Sequence, residues 1–170
     1  PALGLQACSV AVNDSYGGSL ALTHLQELGH RKILLLTGSE DIPQVADRNT
    51  GIRDSMKEIP ANQLPQIMEL RLDSMSASNA YDAMMKKIES GVDFTGIICG
   101  NDLIALGAIR ALREKNIAVP EDVSVIGYDD IDFAGSANVP LTSISQPAYE
   151  LGFAAAELII SECENPERHV

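Results

Sequence analysis

The sequence contains no tryptophan and few aromatic residues of any kind, which make up 4% of its 170 residues. It is also poor in positive charge, with 12 lysines and arginines against 24 aspartates and glutamates, so the net charge is −12. Surfaces that bind nucleic acid phosphates are basic, so this composition argues against the chain contacting DNA or RNA by itself. The absence of tryptophan favours a ligand site governed by hydrogen bonds, since only tyrosine or phenylalanine could stack on a sugar face.

Cysteine is scarce as well, since only Cys8, Cys99 and Cys163 occur and they are far apart. They have neither metal-ligand spacing nor the density of a disulfide scaffold, so we expect reduced thiols in a cytoplasmic protein. No apolar run is long enough to span a membrane, and no signal peptide is recognisable. The chain begins in mid-pattern without methionine, and we therefore expect it to be a fragment of a longer protein.

Motifs for catalysis and for phosphate binding are also missing. The chain has no G-x-S-x-G elbow, no Walker loop and no G-x-G-x-x-G fingerprint. His24 and His30 precede the apolar run at 33–36, at the end of the predicted sheet away from its polar edge, so no serine or cysteine of that edge has an evident histidine base. We therefore expect no enzyme, no catalytic residue and no cofactor.

The paired aspartates Asp129 and Asp130 are the remaining candidates for chemistry. Adjacent side chains of an extended chain diverge, and no histidine or further acid lies at short spacing, so we expect no metal site. An acid–base pair of Asp129 and Asp102 beside Arg48 is the one catalytic alternative that the residues leave open.

Apolar runs alternate with amphipathic segments along the whole chain. The runs predict strands at 9–12, 33–36, 67–72, 95–99, 123–128 and 141–145. The amphipathic segments predict helices at 17–28, 44–59, 76–90, 102–116 and 148–162. Strands that are apolar throughout are typical of a parallel sheet buried on both faces. The fold class is therefore α/β, a doubly wound parallel sheet with helices on both faces.

Polar residues follow almost every predicted strand. In an open parallel sheet the ligand crevice lies beyond the carboxyl ends of the strands, so we expect these residues to share one edge. They are Thr37–Ser39, Asp73–Met75, Gly100–Asp102, Asp129 with Asp130, and Gln146, joined by Arg48 early in a helix. Hydroxyls, amides, carboxylates and one guanidinium suit a small polar ligand. Taken singly, Asn101 or Asp102 is equally explained as a helix cap, and Asp129 as a turn residue.

Five segments of the chain form a recognisable set. They are HLQELGHRKILLLTG (24–38), RNTGI (48–52), IICGNDLIALGAIRAL (97–112), IAVPEDVSVIGYDD (117–130) and VPLTSISQP (139–147). Together they resemble the effector-binding core of the lactose-repressor/galactose-repressor family of bacterial transcription regulators. The resemblance implies one part of a two-lobe fold of the type I periplasmic-binding-protein kind, hinged around a small effector. Residues 1–15 would be a remnant of the N-terminal lobe with a crossover, 16–142 the C-terminal lobe, and 143–170 a crossover with a helix returning toward the N-terminal lobe.

The same resemblance implies a set of effector-contacting positions. Carried over by motif, they are Arg48, Asn101, Asp129, Gln146, Ser74 and Asn13. We expect Asp129→Asn or Arg48→Ala to abolish the response to effector with little loss of folding.

The family's basic DNA-binding head is absent, so operator DNA would be bound only through a missing N-terminal segment. The resemblance implies a cytoplasmic homodimer that does not bind membranes, in which effector binding is transmitted to the operator. Tyr128, Phe133 and residues 134–139 are either dimer contacts or an ordinary surface loop. The alternative function is a periplasmic sugar-binding protein of a transport system, because such proteins share the fold.

Overall fold

The computed structural model describes residues 8–132 and 140–164. These described residues divide into two compact units, one within 14–145 and the other formed by 8–13 with 146–164. Within the described parts, no helix has both the length and the apolar character needed to cross a membrane.

The larger unit alternates strands and helices in the predicted order. The helices are α1 (Asp14–Glu27), α2 (Pro43–Lys57), α3 (Ala77–Glu89) and α4 (Asp102–Glu114). The strands are β1 (Lys32–Thr37), β2 (Gln66–Arg71), β3 (Gly96–Cys99), β4 (Ser124–Asp129) and β5 (Thr142–Ser145). All neighbouring strands are parallel, in the order β2-β1-β3-β4-β5. The doubly wound α/β prediction is confirmed.

Two apolar clusters cover the two faces of this sheet. On one face, Leu34 and Leu36 of β1 pack with Met84 of α3 and Ile104 of α4. The alternate side chains of β1 point to the other face of the sheet. There they pack with Leu22 of α1 and with residues of α2. A strand directs successive side chains to opposite faces, so a strand buried on both must be apolar throughout. This is why β1 reads as a continuous apolar run.

The predicted strand at 9–12 is wrong, because residues 8–13 form no regular element. An apolar tetrapeptide becomes a strand only where a partner supplies ladder hydrogen bonds. None of the described strands pairs with it, and Val10 remains 37% exposed.

The smaller unit contains α5 (Ala148–Glu164), which has no buried residue. Its large apolar side chains Tyr149, Phe153, Ile159 and Ile160 are exposed. Cys8 donates a hydrogen bond to Glu162 within the same unit, at 3.0 Å.

His30 joins the amino ends of the central strands, away from their carboxyl edge, as predicted. Its Nδ1 lies 2.8 Å from Thr95 Oγ1, and its Nε2 lies 3.1 Å from Ser124 Oγ. Burial, and secondarily the charge of His24, hold the pKa of His30 below its usual value of 6.5. The folded chain therefore favours the neutral ring.

Acidification is expected to destabilise the fold through His30. The unfolded chain binds the proton more readily, so stability is unaffected above the ordinary histidine pKa and falls as the pH drops below it. Urea unfolding at about pH 7.5 and about pH 5.5 measures this loss, with His30→Gln as the comparison. An equal loss in His30→Gln would show that other groups cause it.

Candidate functional site

Arg48 is at the centre of the carboxyl edge of the sheet. It lies on the second turn of α2, and only 11% of its side chain is exposed. Its Nε donates to Asp14 Oδ1 at 2.7 Å, and its Nη1 donates to the carbonyl oxygen of Gly100 at 2.7 Å. Its Nη2 lies 3.4 Å from Asp129 Oδ1. The guanidinium therefore connects α1, the end of β3 and the end of β4.

The guanidinium of Arg48 packs against the face of the Tyr128 ring. The Arg48 Cζ lies 3.6 Å from the ring centroid, which is a cation–π arrangement. Burial, and then the negative charge of Asp14, raise the pKa of Tyr128 to about 12. Gly17 makes the arrangement possible, because a Cβ there would overlap the Tyr128 hydroxyl. Tyr128, considered from sequence as either a dimer contact or a residue of a surface loop, has a buried side chain and so fits neither alternative.

Asp14 is a member of the site that the sequence reasoning missed. It is the first residue of α1 and is 6% exposed. Its partner Arg48 is 34 residues away. A lone aspartate at a helix start is usually explained by the helix dipole, so only the fold reveals this ion pair.

Asp129 ends β4 with its carboxylate 33% exposed, so it is accessible from the edge. Its φ is 102°, and that of Asp130 is 54°. Residues with a Cβ rarely adopt such angles, and strained backbone of this kind is concentrated at functional sites. The two carboxylates lie in different surroundings. Asp129 is partly buried near Arg48, whereas Asp130 is exposed to solvent.

Asn101 occupies the N-cap of α4. Its Oδ1 accepts a hydrogen bond from the backbone N–H of Ile104 at 2.9 Å. This oxygen is therefore already used, and the amide NH₂ group is the part that can donate to a ligand. Asn101 immediately follows Gly100, whose carbonyl binds Arg48.

The segment after β2 brings Met75 to this edge more closely than Ser74. Met75 lies beside Gly38 and Gly100, where an added Cβ would contact its side chain. Ser74 is exposed. Asn13 and Gln146 belong to the smaller unit and stay predictions as ligand contacts.

Thr37 and Asn49 stabilise the loop after β1. The buried Thr37 hydroxyl donates to Asn49 Oδ1 at 3.3 Å, and Asn49 Nδ2 donates to Glu40 at 3.0 Å. The Asn49 hydrogen bond, followed by that of Arg53, lowers the pKa of Glu40. These residues position α2, on which Arg48 lies.

The acid–base pair considered from sequence does not form. Both oxygens of the fully buried Asp102 are engaged, one by the Ser143 hydroxyl and the other by the backbone N–H of Ile131. Asp102 therefore has no oxygen directed to a ligand beside Asp129. Over residues 8–132 and 140–164, no group of three or more histidines, cysteines or acids is placed to hold a metal ion.

Comparison with known families gives one match that covers most of the chain. A model described as a periplasmic binding protein-like domain matches residues 22–170. The HTH-type transcriptional repressor PurR of Aliivibrio fischeri (strain MJ11) is 35% identical over 156 residues, which are 91% of this chain and 46% of the repressor. The ribose operon repressor of Escherichia coli (strain K12) is 35% identical over 154 residues, again 91% and 46%. The chain thus spans about half the length of these relatives.

Solved structures give the same result. A LacI family regulator from Enterococcus faecium with bound ribose is similar with a TM-score of 0.82 and 32% identity, over 96% of this chain and 62% of that one. A dimeric Lac repressor has a TM-score of 0.81 and is 30% identical, over 89% of this chain and 55% of the repressor chain.

These relatives are named as repressors and regulators, and none of them as an enzyme, which agrees with the sequence prediction. The sheet order, the matched domain model and the similar repressors lead to one conclusion: the chain belongs to the periplasmic binding protein-like domains of the lactose-repressor/galactose-repressor family.

Proposed function

We propose that this chain is the effector-sensing part of a bacterial transcription regulator and that it binds an uncharged polyhydroxylated molecule, such as a sugar, at the carboxyl edge of its sheet. In the full-length protein, ligand binding would favour one arrangement of the lobes and so bias operator binding by a head outside this chain. We place that protein in the cytoplasm as a homodimer. Phe133 and residues 134–139, considered as dimer contacts, lie outside the described residues.

The observation that carries this proposal is the hydrogen bonding of the Arg48 guanidinium. A guanidinium has five N–H donors in a planar fork, and the contacts to Asp14, Gly100 and Asp129 engage three of them. The Asp129 contact, at 3.4 Å, is long enough for a ligand to compete with it. A vicinal diol can donate one hydroxyl to Asp129 and accept from Arg48 with the other, replacing one weak contact by two shorter ones.

The charges at this edge favour an uncharged ligand over an anion. Arg48 is already paired with the buried Asp14, and Asp129 adds a second carboxylate. One guanidinium beside two carboxylates carries a formal excess of negative charge. A phosphorylated sugar would meet that excess in a partly desolvated site, where repulsion is costly.

The relatives support sugars as the first ligands to test. The ribose operon repressor of Escherichia coli is 35% identical to this chain, and the regulator from Enterococcus faecium was solved with bound ribose. Asn101 and Ser74 complete the proposed contacts of the larger unit, and Asn13 and Gln146 stay predictions as ligand contacts. The alternative function, a transport-type binding protein, is not favoured, because the reported relatives are regulators.

Asp129→Asn is expected to weaken ligand binding selectively. The exchange removes a charged acceptor and costs about 1.5–3 kcal/mol of binding, which is about tenfold or more in Kd. Calorimetric titration of the chain with D-ribose and with D-ribose 5-phosphate measures both the loss and the preference for the neutral sugar.

Asp130→Asn is the matched control, because it makes the same chemical change one residue further on at an exposed position. We expect it to leave the affinity unchanged. Equal effects of the two substitutions would refute the assignment of Asp129, and tighter binding of the phosphorylated sugar would refute the preference for an uncharged ligand.

A further inference from the structure

Asp102 is a fully buried carboxylate, and none of the ion pairs among the described residues includes it. Its Oδ1 accepts from the Ser143 hydroxyl at 2.7 Å, and its Oδ2 accepts from the backbone N–H of Ile131 at 2.9 Å. Burial of a charged group is unfavourable unless its hydrogen bonds are complete. Ordinary core packing therefore does not explain why a carboxylate is buried at this position.

Capping of α4 does not supply that reason. The N-cap is Asn101, whose side chain accepts from the Ile104 N–H, so the helix end is satisfied without the Asp102 carboxylate. As the first residue of α4, Asp102 does benefit from the positive end of the helix dipole. The two oxygens of Asp102 nevertheless bind groups outside this helix end.

Both oxygens act on the turn that follows β4. Ile131 is held directly, and Asp130 is held through Ser143, whose Oγ accepts from the Asp130 N–H at 3.1 Å. The two positive φ angles belong to Asp129, which ends β4, and to the anchored Asp130 itself. Such a conformation is unfavourable for residues with a Cβ and persists only where surrounding contacts fix it.

Gly127 provides the space that this arrangement needs. It pairs with Ser143 in the parallel ladder between β4 and β5. A Cβ at position 127 would overlap Asp102 Oδ1, the oxygen that accepts from Ser143. Gly127 is thus explained by the close approach of the Asp102 carboxylate to the backbone of β4.

We propose that Asp102 is a positioning residue that, together with Ser143, fixes the Asp129–Asp130 turn so that the Asp129 carboxylate faces Arg48. The role rests on the proposed function, because it matters for binding only if Asp129 contacts the ligand. Since Ser143 belongs to β5, the orientation of Asp129 also depends on the register of β5 against β4. Displacement of β5 would release the turn and so weaken the ligand site without touching the ligand.

The test measures the free chain, so it does not depend on which ligand binds. In nitrogen-15-labelled protein, amide hydrogen exchange reports whether the Asp130 and Ile131 N–H groups are held, and the HN–Hα coupling reports φ. For Ser143→Ala we expect the Asp130 amide to exchange about tenfold faster or more, because its acceptor is gone. Core amides such as that of Leu36 should keep their protection, which separates loss of positioning from general destabilisation.

Asp102→Asn and Asp102→Ala complete the series. Asparagine still offers an oxygen to Ile131 and a donor to Ser143, so we expect the couplings of Asp129 and Asp130 to remain those of positive φ. Alanine should release both angles. If Asp102→Ala does not fold, the Ser143→Ala result decides.

Ser145→Ala is the matched control, because Ser145 lies on the same strand and pairs with Asp129 in the ladder, while its side chain is exposed. It should leave the Asp130 and Ile131 amides unchanged. The proposal is overturned if Ser143→Ala leaves the Asp130 amide protected, or if Ser145→Ala exposes it equally. Failure here would leave the ligand proposal standing, since no ligand enters the measurement.

Discussion

Alanine at position 51 is expected to destabilise the larger unit severely. Gly51 of α2 faces α1, and a Cβ there would overlap the backbone carbonyl of Ser15. In the opposite direction, a Cβ at Gly18 of α1 would overlap the carbonyl of Arg48. Backbone atoms of two packed helices cannot rotate away as a side chain can, so we expect a loss of about 3 kcal/mol or more. The gain of about 1 kcal/mol from replacing glycine by alanine within a helix is too small to offset it.

Chemical denaturation of Gly51→Ala measures this loss, with Gly152→Ala as the matched control. Gly152 lies within α5, and no heavy atom would lie within 4 Å of an added Cβ. The Gly152→Ala variant should therefore reflect only the higher helix propensity of alanine, and its unfolding free energy should be unchanged or slightly higher. Similar unfolding free energies for the two variants would mean that α1 and α2 are not in such close contact. That result would also remove the reason for placing Arg48 where it is.

Arg48→Ala is expected to abolish ligand binding and to destabilise the fold as well. The sequence led us to expect little loss of folding, and the structure revises that expectation. The Arg48–Asp14 pair is almost entirely buried, so removal of the guanidinium leaves the Asp14 carboxylate buried and unpaired. Breaking such a pair costs about 3–5 kcal/mol.

A double-mutant cycle separates this cost from other effects. Asp14→Ala in the Arg48→Ala background should recover part of the lost stability, because no uncompensated charge then remains. Arg53→Ala is the control on the same helix, since Arg53 is 48% exposed and its pair with Glu40 lies at the surface. We expect that change to cost less than about 1 kcal/mol. Equal losses for the two arginines would contradict the buried ion pair.

The sequence predicted most of the fold because burial on both faces leaves a direct signature. The central strands β1, β3 and β4 appear as apolar runs, and the helices appear as amphipathic segments between the strands. Gly29 and Gly91, at φ values of 90° and 111°, end α1 and α3 as expected of left-handed caps. The segment 9–12 has the same composition, but a strand also needs a partner, which composition does not reveal.

The site was predictable only in part, for a physical reason. The rule that ligands bind at the carboxyl ends of parallel strands leads to Asp129 and Asn101, since Asp129 ends β4 and Asn101 comes shortly after β3. The contacts that orient Arg48 depend on how α1 packs against α2, so Asp14 could not be found from spacing. The same holds for Tyr128, because a buried aromatic residue at a strand end looks like ordinary core until the guanidinium is placed above it.

The most direct test of the account is a map of ligand contacts on the chain itself. Amide NMR spectra of the nitrogen-15-labelled protein would be recorded during titration with D-ribose and a panel of other neutral pentoses and hexoses. We predict saturable shifts at Gly100, Asn101 and Asp129 for at least one sugar, and their loss in Asp129→Asn. No saturable shift with any sugar, or shifts confined to the amino ends of the strands around His30, would contradict the account.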